Sequence, residues 1–252
     1  MTIHLVIPDS HAHPLHNNDR ADLLSQLIID LQPDVVVNLG DQWDLASLSG
    51  YDKGKRSFVG RSYRADIDSG LEFSERLWEP VRARKKKLPR RVYLEGNHEH
   101  RIEKALDLNP ELTGTIGFED FELDTYYDDV VKYSGSTPGI IEVDGINYAH
   151  YFISGVMGRP ISGEHPAYSL STKLGGSVTA GHLHTLDYNV RTDVYGNKKH
   201  NLVAGCFFDY VSDWAGHAND LYWRGVAIKR NVERGNYDLE LVSMDQLKKE
   251  YA

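Results

Sequence analysis

Five short polar segments carry carboxylate, amide and imidazole side chains, and each follows a run of apolar residues. Their chemical groups belong to Asp9 and His11, Asp41 and Asp44, Asn97 and His98, His150, and His182 and His184. Strand interiors favour β-branched and aromatic residues, so we expect such segments in the turns after strands, where they can face a ligand. Oxygen and imidazole donors suit Mn, Fe, Zn, Co or Ni, and they lack the thiolates of a structural zinc site. The residue types therefore indicate an open metal site that supports catalysis.

Each segment taken alone also has an ordinary structural explanation. Asp9 and His11 are compatible with turn or cap residues, and Asp44 with a helix N-cap. His150 alone is compatible with a hydrogen-bonded core histidine. Together, however, the five segments follow the C-terminal ends of apolar runs, where ligands of α/β sheets gather. A shared site explains this arrangement better than five unrelated turns.

Strands and helices alternate in the first half of the sequence. Residues 3–7 and 34–39 are short apolar runs, which predict buried strands. Residues 19–31 have apolar side chains at helical spacing, with Asp19 as a candidate N-cap. Residues 63–87 predict a longer helix, interrupted or bent at a proline. The alternation is typical of a sheet covered by helices.

Hairpins dominate the second half. Two β runs flank Asp144-Gly145, and Tyr195-Gly196-Asn197 predicts another turn. Residues 101–129 are mostly polar and acidic, so we expect an insertion or lid there rather than central sheet. The residue patterns predict mixed α/β architecture in a single domain, 1–252.

Composition argues against several classes of protein. The formal net charge of -9 disfavours a protein that coats nucleic acid by bulk electrostatics. A single cysteine excludes an internal disulfide framework, and no stretch approaches the roughly 20 apolar residues of a membrane helix. The N-terminal apolar run is too short for a signal peptide. We therefore expect a cytoplasmic protein that is not embedded in a membrane.

The ordered motifs resemble those of the calcineurin-like metallophosphoesterase superfamily. They are Asp9-x-His11, Gly40-Asp41-x-x-Asp44, Gly96-Asn97-His98-Glu99, His150 and Gly181-His182-x-His184. The resemblance spans about residues 9–184, and the layout is most similar to small phage and bacterial members. It implies a four-layer α/β sandwich of two mixed β-sheets flanked by helices. For a phage-encoded member, the expected compartment is the host cytoplasm.

The resemblance also implies roles for the motif residues. Two divalent metal ions would be bound, one by Asp9, His11 and His184 and the other by Asn97, His150 and His182, with Asp41 bridging them. Manganese is the expected metal, with nickel, iron, zinc, cobalt and magnesium as alternatives. A hydroxide between the two ions would be the nucleophile, and His98 would be the general acid. Asp44 would accept a hydrogen bond from the other ring nitrogen of His98.

One departure from the superfamily bears on the substrate. Protein phosphatases of this superfamily usually follow the second aspartate of the block with an arginine that binds phosphate, whereas Asp44 is followed by Leu45 and Ala46. A phosphodiester carries one charge fewer than a monoester and needs this arginine less. We therefore expect a phosphodiesterase that acts on nucleic acid or a cyclic nucleotide. A phosphomonoesterase, including a protein phosphatase, is the alternative, and a non-catalytic metal-binding scaffold is a third.

Several other residues have open roles. We expect Glu99 to be a supporting carboxylate or to begin a helix, and His100 and Arg101 to face solvent, with binding of the substrate phosphate as the alternative for Arg101. The basic run 82–91 is either a solvated helix end or a guide for nucleic acid. The aromatic segment 207–225 is either core or a rim that stacks on a base. We place His165, His200 and His217 outside the metal site. Substrate choice is expected to depend on 101–129 and on the loops around 51–62, 154–168 and 207–224.

Overall fold

The computed structural model describes residues 1–85, 87–212 and 215–252. Its helices are α1 (Asp19–Leu31), α2 (Tyr63–Arg84), α3 (Arg101–Leu108), α4 (Leu123–Tyr126), α5 (Pro166–Lys173) and α6 (Met244–Tyr251). Its first strands are β1 (Thr2–Ile7), β2 (Val35–Asn38), β3 (Arg90–Leu94), β4 (Asp129–Val131), β5 (Ile140–Val143), β6 (Ile146–Ala149) and β7 (Ile153–Ser154). The remaining strands are β8 (Arg159–Pro160), β9 (Ser177–Ala180), β10 (Leu186–Thr192), β11 (Lys198–Ala204), β12 (Gly225–Glu233) and β13 (Asn236–Ser243).

Two large mixed sheets form the centre of the fold. The first has the strand order β13-β12-β1-β2-β3-β4, in which β1 to β4 run parallel and β12 is antiparallel to β1 and β13. The second has the order β10-β11-β9-β6-β5, in which β11, β9 and β6 run parallel. A separate pair, β7 and β8, is antiparallel.

Apolar side chains on both faces of the strands bind the layers together. On β1, Leu5 and Ile7 pack with residues of α1, α2 and α6, whereas Val6 packs between the two sheets. Successive strand side chains point to opposite faces, so one strand serves two cores. On the far side of the second sheet, Val178 and Val203 pack with Leu170 of α5. Helices, sheet, sheet and helix therefore form four layers, and the predicted sandwich is confirmed.

Local predictions agree with several element boundaries but fail at one cap. Helix α1 begins and ends where the sequence predicts. However, Asn18 is its N-cap, and Asp19 is the first helical residue, so the predicted cap is wrong. The Asn18 amide donates to the Ser69 carbonyl oxygen on α2 (2.9 Å), and it makes no side-chain cap bond. A contact between helices has replaced the local cap.

The segment 101–129 packs against the helix-side core before it enters β4. Phe121 and Tyr127 are buried there with Trp43 and Trp78. The Tyr127 hydroxyl donates to Gln42 Oε1 (3.1 Å), in the loop after β2. Much of this predicted insertion therefore contributes to the core.

Among the helices in the described part of the chain, none is both long enough and apolar enough to cross a membrane.

The topology gathers the polar segments at one end of the sandwich. Three of them follow the parallel strands β1, β2 and β3 of the first sheet, and two follow the parallel strands β6 and β9 of the second. Parallel strands end at the same edge of a sheet, where α/β proteins bind ligands.

Candidate metal centre

Six of the seven predicted ligands, together with the predicted general acid His98, form three overlapping groups at this end of the sandwich. The groups are Asp9, His11 and His184; Asp41, His150 and His182; and His11, Asp41 and His98. Within each group the ligand atoms lie within 4.8 Å of one another. His182 is partly exposed, and the other members are buried. Such buried groups of aspartate and histidine could hold metal ions.

Asp41 lies at the centre of the cluster. Its Oδ2 is 3.3 Å from His150 Nε2 and 3.8 Å from the Nε2 atoms of His11 and His98. Its Oδ1 accepts a hydrogen bond from the His98 backbone N–H (2.8 Å). Burial alone would raise the Asp41 pKa, but His150 and His98 hold that pKa well below its usual range. One ionised oxygen is thus fixed by the backbone while the other faces three imidazoles.

The first group is built around Asp9, at the end of β1. Asp9 Oδ1 lies 3.5 Å from His184 Nε2, and both carboxylate oxygens accept from the His182 backbone N–H (2.9 and 3.0 Å). Burial opposes ionisation of Asp9, but the hydrogen bond with His184 and the charge of His150 lower its pKa. A Cβ at Gly181 would lie 2.3 Å from Asp9 Oδ2, so this close approach requires glycine.

The second group includes two histidines with opposite pKa shifts. His150 Nδ1 lies 2.9 Å from the Leu39 carbonyl oxygen, and its Nε2 lies 2.9 Å from Asn97 Oδ1. Burial opposes protonation of His150, but the facing Asp41 carboxylate raises its pKa to about 9. Burial and the nearby His150 lower the pKa of His182 to about 4. A neutral imidazole such as His182 is the form that binds a metal.

His11 provides a test of whether these residues fit a cation. Its Nδ1 lies 3.1 Å from Asp44 Oδ1, which fixes the orientation of the ring. Its Nε2 is among the buried side-chain atoms of the described residues that have no hydrogen-bond partner. The 3.8 Å separation from Asp41 Oδ2 is too long for a hydrogen bond. An oriented ring nitrogen that faces carboxylates in this way fits a divalent metal ligand.

The backbone at the cluster adopts an uncommon conformation. Four predicted ligands have left-handed φ values: His11 (43°), Asp41 (50°), His182 (69°) and His184 (60°). Residues other than glycine, asparagine and aspartate seldom adopt this region, because Cβ approaches the backbone too closely. Strain of this kind persists where the surroundings impose it, and it concentrates at functional sites.

His98 contacts both the backbone and the carboxylate of Asp44. Its Nδ1 lies 2.7 Å from the Asp44 backbone carbonyl oxygen and 3.3 Å from Asp44 Oδ1. The closer partner is therefore the carbonyl, because the chain turns at Leu45 through a left-handed residue and Asp44 Oδ1 contacts His11. Although burial opposes it, His11 and His98 hold the Asp44 pKa well below its usual range.

Arg101 contacts the other side of the His98 ring. Its Nη2 lies 2.9 Å from His98 Nε2, and its Nη1 donates to the Asp44 carbonyl oxygen (2.7 Å). Arginine is always a donor, so His98 Nε2 accepts here and Nδ1 carries the ring proton. Neither Arg101 nor His100 simply faces solvent, since His100 Nδ1 contacts Glu95 Oε1 at 3.0 Å. The expectation for these two residues is wrong.

Glu99 joins the loop after β2 to the loop after β3. Its Oε2 accepts from the backbone N–H groups of Asp41 and Gly96 (both 2.9 Å), and its Oε1 accepts from Trp43 N–H (3.0 Å). Burial and the nearby Asp41 raise the Glu99 pKa to about 7. A Cβ at Gly96 would lie 2.2 Å from the Asp41 nitrogen, so glycine is needed where the two loops meet. Glu99 thus has the supporting role that the sequence favours.

The basic run 82–91 lies at the end of α2 and the start of β3. The metal cluster follows the opposite end of β3, so the run is remote from it. Arg82, Arg90 and Arg91 form ion pairs with Glu79, Asp129 and Asp128. Lys86 lies outside the described residues. This location favours the solvated helix end over a guide into the site.

The aromatic segment 207–225 contributes both to the core and to the site. The Phe208 ring is buried and packs edge-on against His11 and His184, with centroid distances of 5.1 and 5.2 Å. The Tyr210 hydroxyl donates to the His11 carbonyl oxygen (2.8 Å). Asp213 and Trp214 of this segment lie outside the described residues. Within the part that the structure describes, His165, His200 and His217 do not belong to the ligand groups.

A cleft of about 810 Å³ opens onto the cluster and was not predicted from the sequence. Asp44, Asn97, His98 and His182 contribute to its lining. The loop around 51–62 and residues 210–212 also line it, whereas Arg101 is the single contributor from 101–129 among the described residues. The sequence signal that could have located this cleft is the run of further histidines after β1, which places His13 and His16 beside His11.

Comparison with known proteins adds little to these observations. Neither the protein-family models nor the curated proteins gave a match. A solved structure, TT1561 of Thermus thermophilus, is 11% identical, and the match covers 95% of this chain and 98% of that one at a TM-score of 0.38. A second solved structure is also 11% identical, with coverages of 96% and 99% and a TM-score of 0.37. At these scores the likeness supports no argument about fold or function.

Proposed function

We propose that the protein is a dimetal phosphoesterase of the calcineurin-like metallophosphoesterase superfamily that hydrolyses phosphodiesters of nucleic acids or cyclic nucleotides. The position of Asp41 Oδ2 among the Nε2 atoms of His11, His98 and His150 supports this most directly. One carboxylate oxygen between two sets of histidines has the arrangement that a bridging ligand requires. The five motifs that resemble the superfamily give independent support.

The residues fit two cation sites that share Asp41. The first would use Asp9, His11 and His184, and the second would use Asn97, His150 and His182. Bound divalent cations, with Mn²⁺ as the expected species, would supply Lewis acidity, stabilising charge on the phosphate and lowering the pKa of the attacking water. The protein contributes ionised carboxylates and oriented imidazoles in a site largely shielded from solvent.

His98 is the residue that would handle the proton of the leaving oxygen. Its Nδ1–H donates to the Asp44 carbonyl, which leaves Nε2 as the atom that exchanges a proton with substrate. Arg101 Nη2 donates to that same Nε2, so transfer from His98 requires Arg101 to move away. A substrate phosphate oxygen is a stronger acceptor for the arginine N–H than a neutral imidazole. Substrate binding would thereby transfer Arg101 to the phosphate, and the released His98 Nε2 would take up a proton from solvent, which His98 would then donate to the leaving oxygen.

The charges along the cleft support a diester over a monoester. Arg61 Nη1 donates to Asp52 Oδ2 (2.8 Å) and to the Ala46 carbonyl oxygen (2.8 Å). Lys55 also lies near Asp52, at 3.5 Å. Two of the cationic side chains that line the cleft therefore share one carboxylate partner, Asp52. A singly charged phosphodiester needs fewer additional cations than a doubly charged monoester.

Hydrolysis of bis-p-nitrophenyl phosphate and p-nitrophenyl phosphate tests the proposal. Metal-stripped protein should gain diesterase activity on addition of Mn²⁺, Ni²⁺, Co²⁺, Zn²⁺ or Mg²⁺, with the diester preferred. His98→Ala should lower kcat by about 10²–10³-fold, because the proton donor is lost. Its metal content should remain that of the wild type. His165→Ala, which changes an exposed histidine outside the lining of the cleft, is the matched control.

Each alternative function has its own outcome in this experiment. Preference for the monoester would replace the phosphodiesterase with the phosphomonoesterase. Stoichiometric metal binding without hydrolysis of either ester would indicate a metal-binding scaffold. Equal activity of wild type and His98→Ala would show that His98 is not the proton donor.

A further inference from the structure

The cleft beside the candidate metal centre has an unusual number of exposed apolar side chains. Leu15 is 83% exposed, Tyr51 is 87%, Val59 is 83% and Val211 is 70%, and all four line the cleft. Scattered apolar side chains are normal on a protein surface, but a set that rims one concave site marks a binding surface. The candidate metal ligand Asn97 lines the same cleft.

An aromatic shelf lies on the same rim. The rings of His16 and Tyr210 are stacked, with a centroid distance of 3.9 Å and an interplanar angle of 6°. Tyr210 is held by its hydrogen bond to the His11 carbonyl oxygen, and its ring packs against Phe208 at 5.1 Å. His16 is exposed and lines the cleft together with Tyr210, so the shelf borders the cleft.

Local hydrogen bonds orient the segment that carries His16. The His16 backbone N–H donates to the His13 carbonyl oxygen (3.0 Å), and the Leu15 N–H donates to His13 Nδ1 (3.1 Å). This turn begins two residues after the candidate ligand His11. The shelf is therefore connected to the metal centre both through the short chain segment and through Tyr210.

We propose that the His16–Tyr210 shelf stacks a nucleobase of the substrate, so that the cleft selects nucleotidyl phosphodiesters. This inference rests on the proposed function for the position of the phosphate, near His98 and Asn97. A cleft of about 810 Å³ is large enough for a nucleoside beside that phosphate. Parallel aromatic rings suit the flat face of any base, which favours a nucleobase over an alkyl group.

Two chromogenic diesters with the same leaving group and the same charge isolate the contribution of the base. They are thymidine 5′-(p-nitrophenyl phosphate) and methyl p-nitrophenyl phosphate. The metal-loaded wild type should hydrolyse the thymidine ester with kcat/KM about tenfold or more above that of the methyl ester. In His16→Ala the ratio of the two kcat/KM values should fall about tenfold, because one stacking ring is lost. His165→Ala should retain the wild-type ratio.

A binding measurement tests base stacking on the shelf independently of catalysis. Calorimetry on the full chain compares thymidine 5′-monophosphate with deoxyribose 5-phosphate, which lacks the base. The nucleotide should bind about tenfold more tightly, and His16→Ala should remove most of that advantage.

The outcomes separate this proposal from the proposed function. If neither diester is hydrolysed but the base still strengthens binding through His16, the proposed function is wrong and base stacking on the shelf is supported. If both diesters are hydrolysed at a ratio of kcat/KM values that His16→Ala does not change, base stacking on the shelf is wrong and the phosphodiesterase function is supported. A preference for hexyl p-nitrophenyl phosphate over the thymidine ester would assign the cleft to an alkyl group and overturn the inference. Absence of both hydrolysis and base-dependent binding would overturn both proposals.

Discussion

Two buried polar clusters among the described residues differ in the backbone conformations that carry their side chains. Between the sheets, Lys229 is fully buried with its amino group 4.3 and 4.7 Å from the ring centroids of Tyr148 and Tyr237. The amino group donates to the Thr179 hydroxyl and lies 3.2 Å from the Tyr148 hydroxyl. His4 continues this cluster, with Nδ1 2.8 Å from the Tyr148 hydroxyl and Nε2 2.9 Å from Asp144 Oδ2.

Each cluster contains a buried polar atom without a hydrogen-bond partner among the described residues. In the candidate metal centre this atom is His11 Nε2, and beside Lys229 it is the Tyr237 hydroxyl oxygen. Lys229 and His4 lie within regular strands, while His11 and Asp41 have left-handed backbone conformations. Neither burial nor one unpaired atom therefore distinguishes a candidate binding site from a structural cluster. Carboxylates and imidazoles that converge from left-handed backbone positions do.

Replacing His182 with glycine should give the largest separation between activity and stability. Glycine adopts φ near 69° without strain and keeps the backbone N–H that Asp9 accepts, but it removes the imidazole. We expect kcat/KM for bis-p-nitrophenyl phosphate to fall about 10³-fold. The free energy of unfolding of metal-free protein should stay within about 1 kcal/mol of wild type, because relief of strain offsets lost contacts. A large loss of stability in denaturant titrations would assign His182 a structural role.

Glu99→Gln should weaken metal binding without removing a ligand. The glutamine amide would place an N–H group against backbone donors that now face Glu99 Oε1 and Oε2, so the loop carrying Asp41 must shift. We expect affinity for Mn²⁺ to fall about 10–100-fold, as for other residues that orient metal ligands. Calorimetric metal titration measures this, with Glu103→Gln on the exposed face of α3 as the matched control. Equal affinities of the two variants for Mn²⁺ would show that Glu99 does not orient the metal ligands.

Lys229→Met should change the pH dependence of stability and leave catalysis within about twofold of wild type. Burial holds the Lys229 pKa well below its usual range. The unfolded chain therefore binds a proton that the folded chain has released, so wild-type stability rises with pH between the folded and unfolded pKa values. The slope contributed by one such group is at most about 1.4 kcal/mol per pH unit. Denaturant titrations between pH 7 and 9 should show a flatter rise in the variant, and identical slopes would contradict the expectation.

Substitutions in the basic run 82–91 are expected to have the smallest effect on activity. Arg84→Gln combined with Lys87→Gln changes charges at the start of β3, away from the metal centre. Activity on a single-stranded oligonucleotide should change less than about twofold at moderate salt, since exposed charges beyond a Debye length are screened. Arg101→Gln, at the cleft, should lower the same activity at least about tenfold, because the proposed charge-assisted contact of Arg101 with the substrate phosphate would be lost. A comparable loss of oligonucleotide hydrolysis in the double variant would show that the basic run helps to bind nucleic acid.

The sequence predicts best the features that depend on neighbouring residues. The apolar periodicity of 19–31 gives the bounds of α1, and the polar residues after each strand give the candidate ligands. These predictions succeed because strand, turn and ligand are continuous in the chain. The four layers follow from the family resemblance and are confirmed by the two apolar faces of β1 and β2.

Features that depend on distant contacts were missed. The Asp44 carboxylate lies 3.3 Å from His98 Nδ1, as expected, but the closer Asp44 carbonyl oxygen at 2.7 Å was not predicted, because no local pattern of Leu and Ala shows that Leu45 reverses the chain. The hydroxyl of Tyr210 reaches the backbone of His11 across most of the chain. The alternation of side chains along β12 does not show which face of the sheet Lys229 occupies. Its burial becomes clear only from the packing of the second sheet against that face.

The division of the ligands between two sheets has a mechanical consequence. Asp9, His11 and Asp41 come from the first sheet, and His150 and His184 come from the second. A cation bound by both sets would link the two sheets at one end of the sandwich and would close long loops of chain without a covalent bond. Metal loading should therefore slow amide hydrogen exchange at the carboxyl ends of β1 and β9 together. Removal of metal would allow this end to open while the inter-sheet cluster around Lys229 keeps the layers in register.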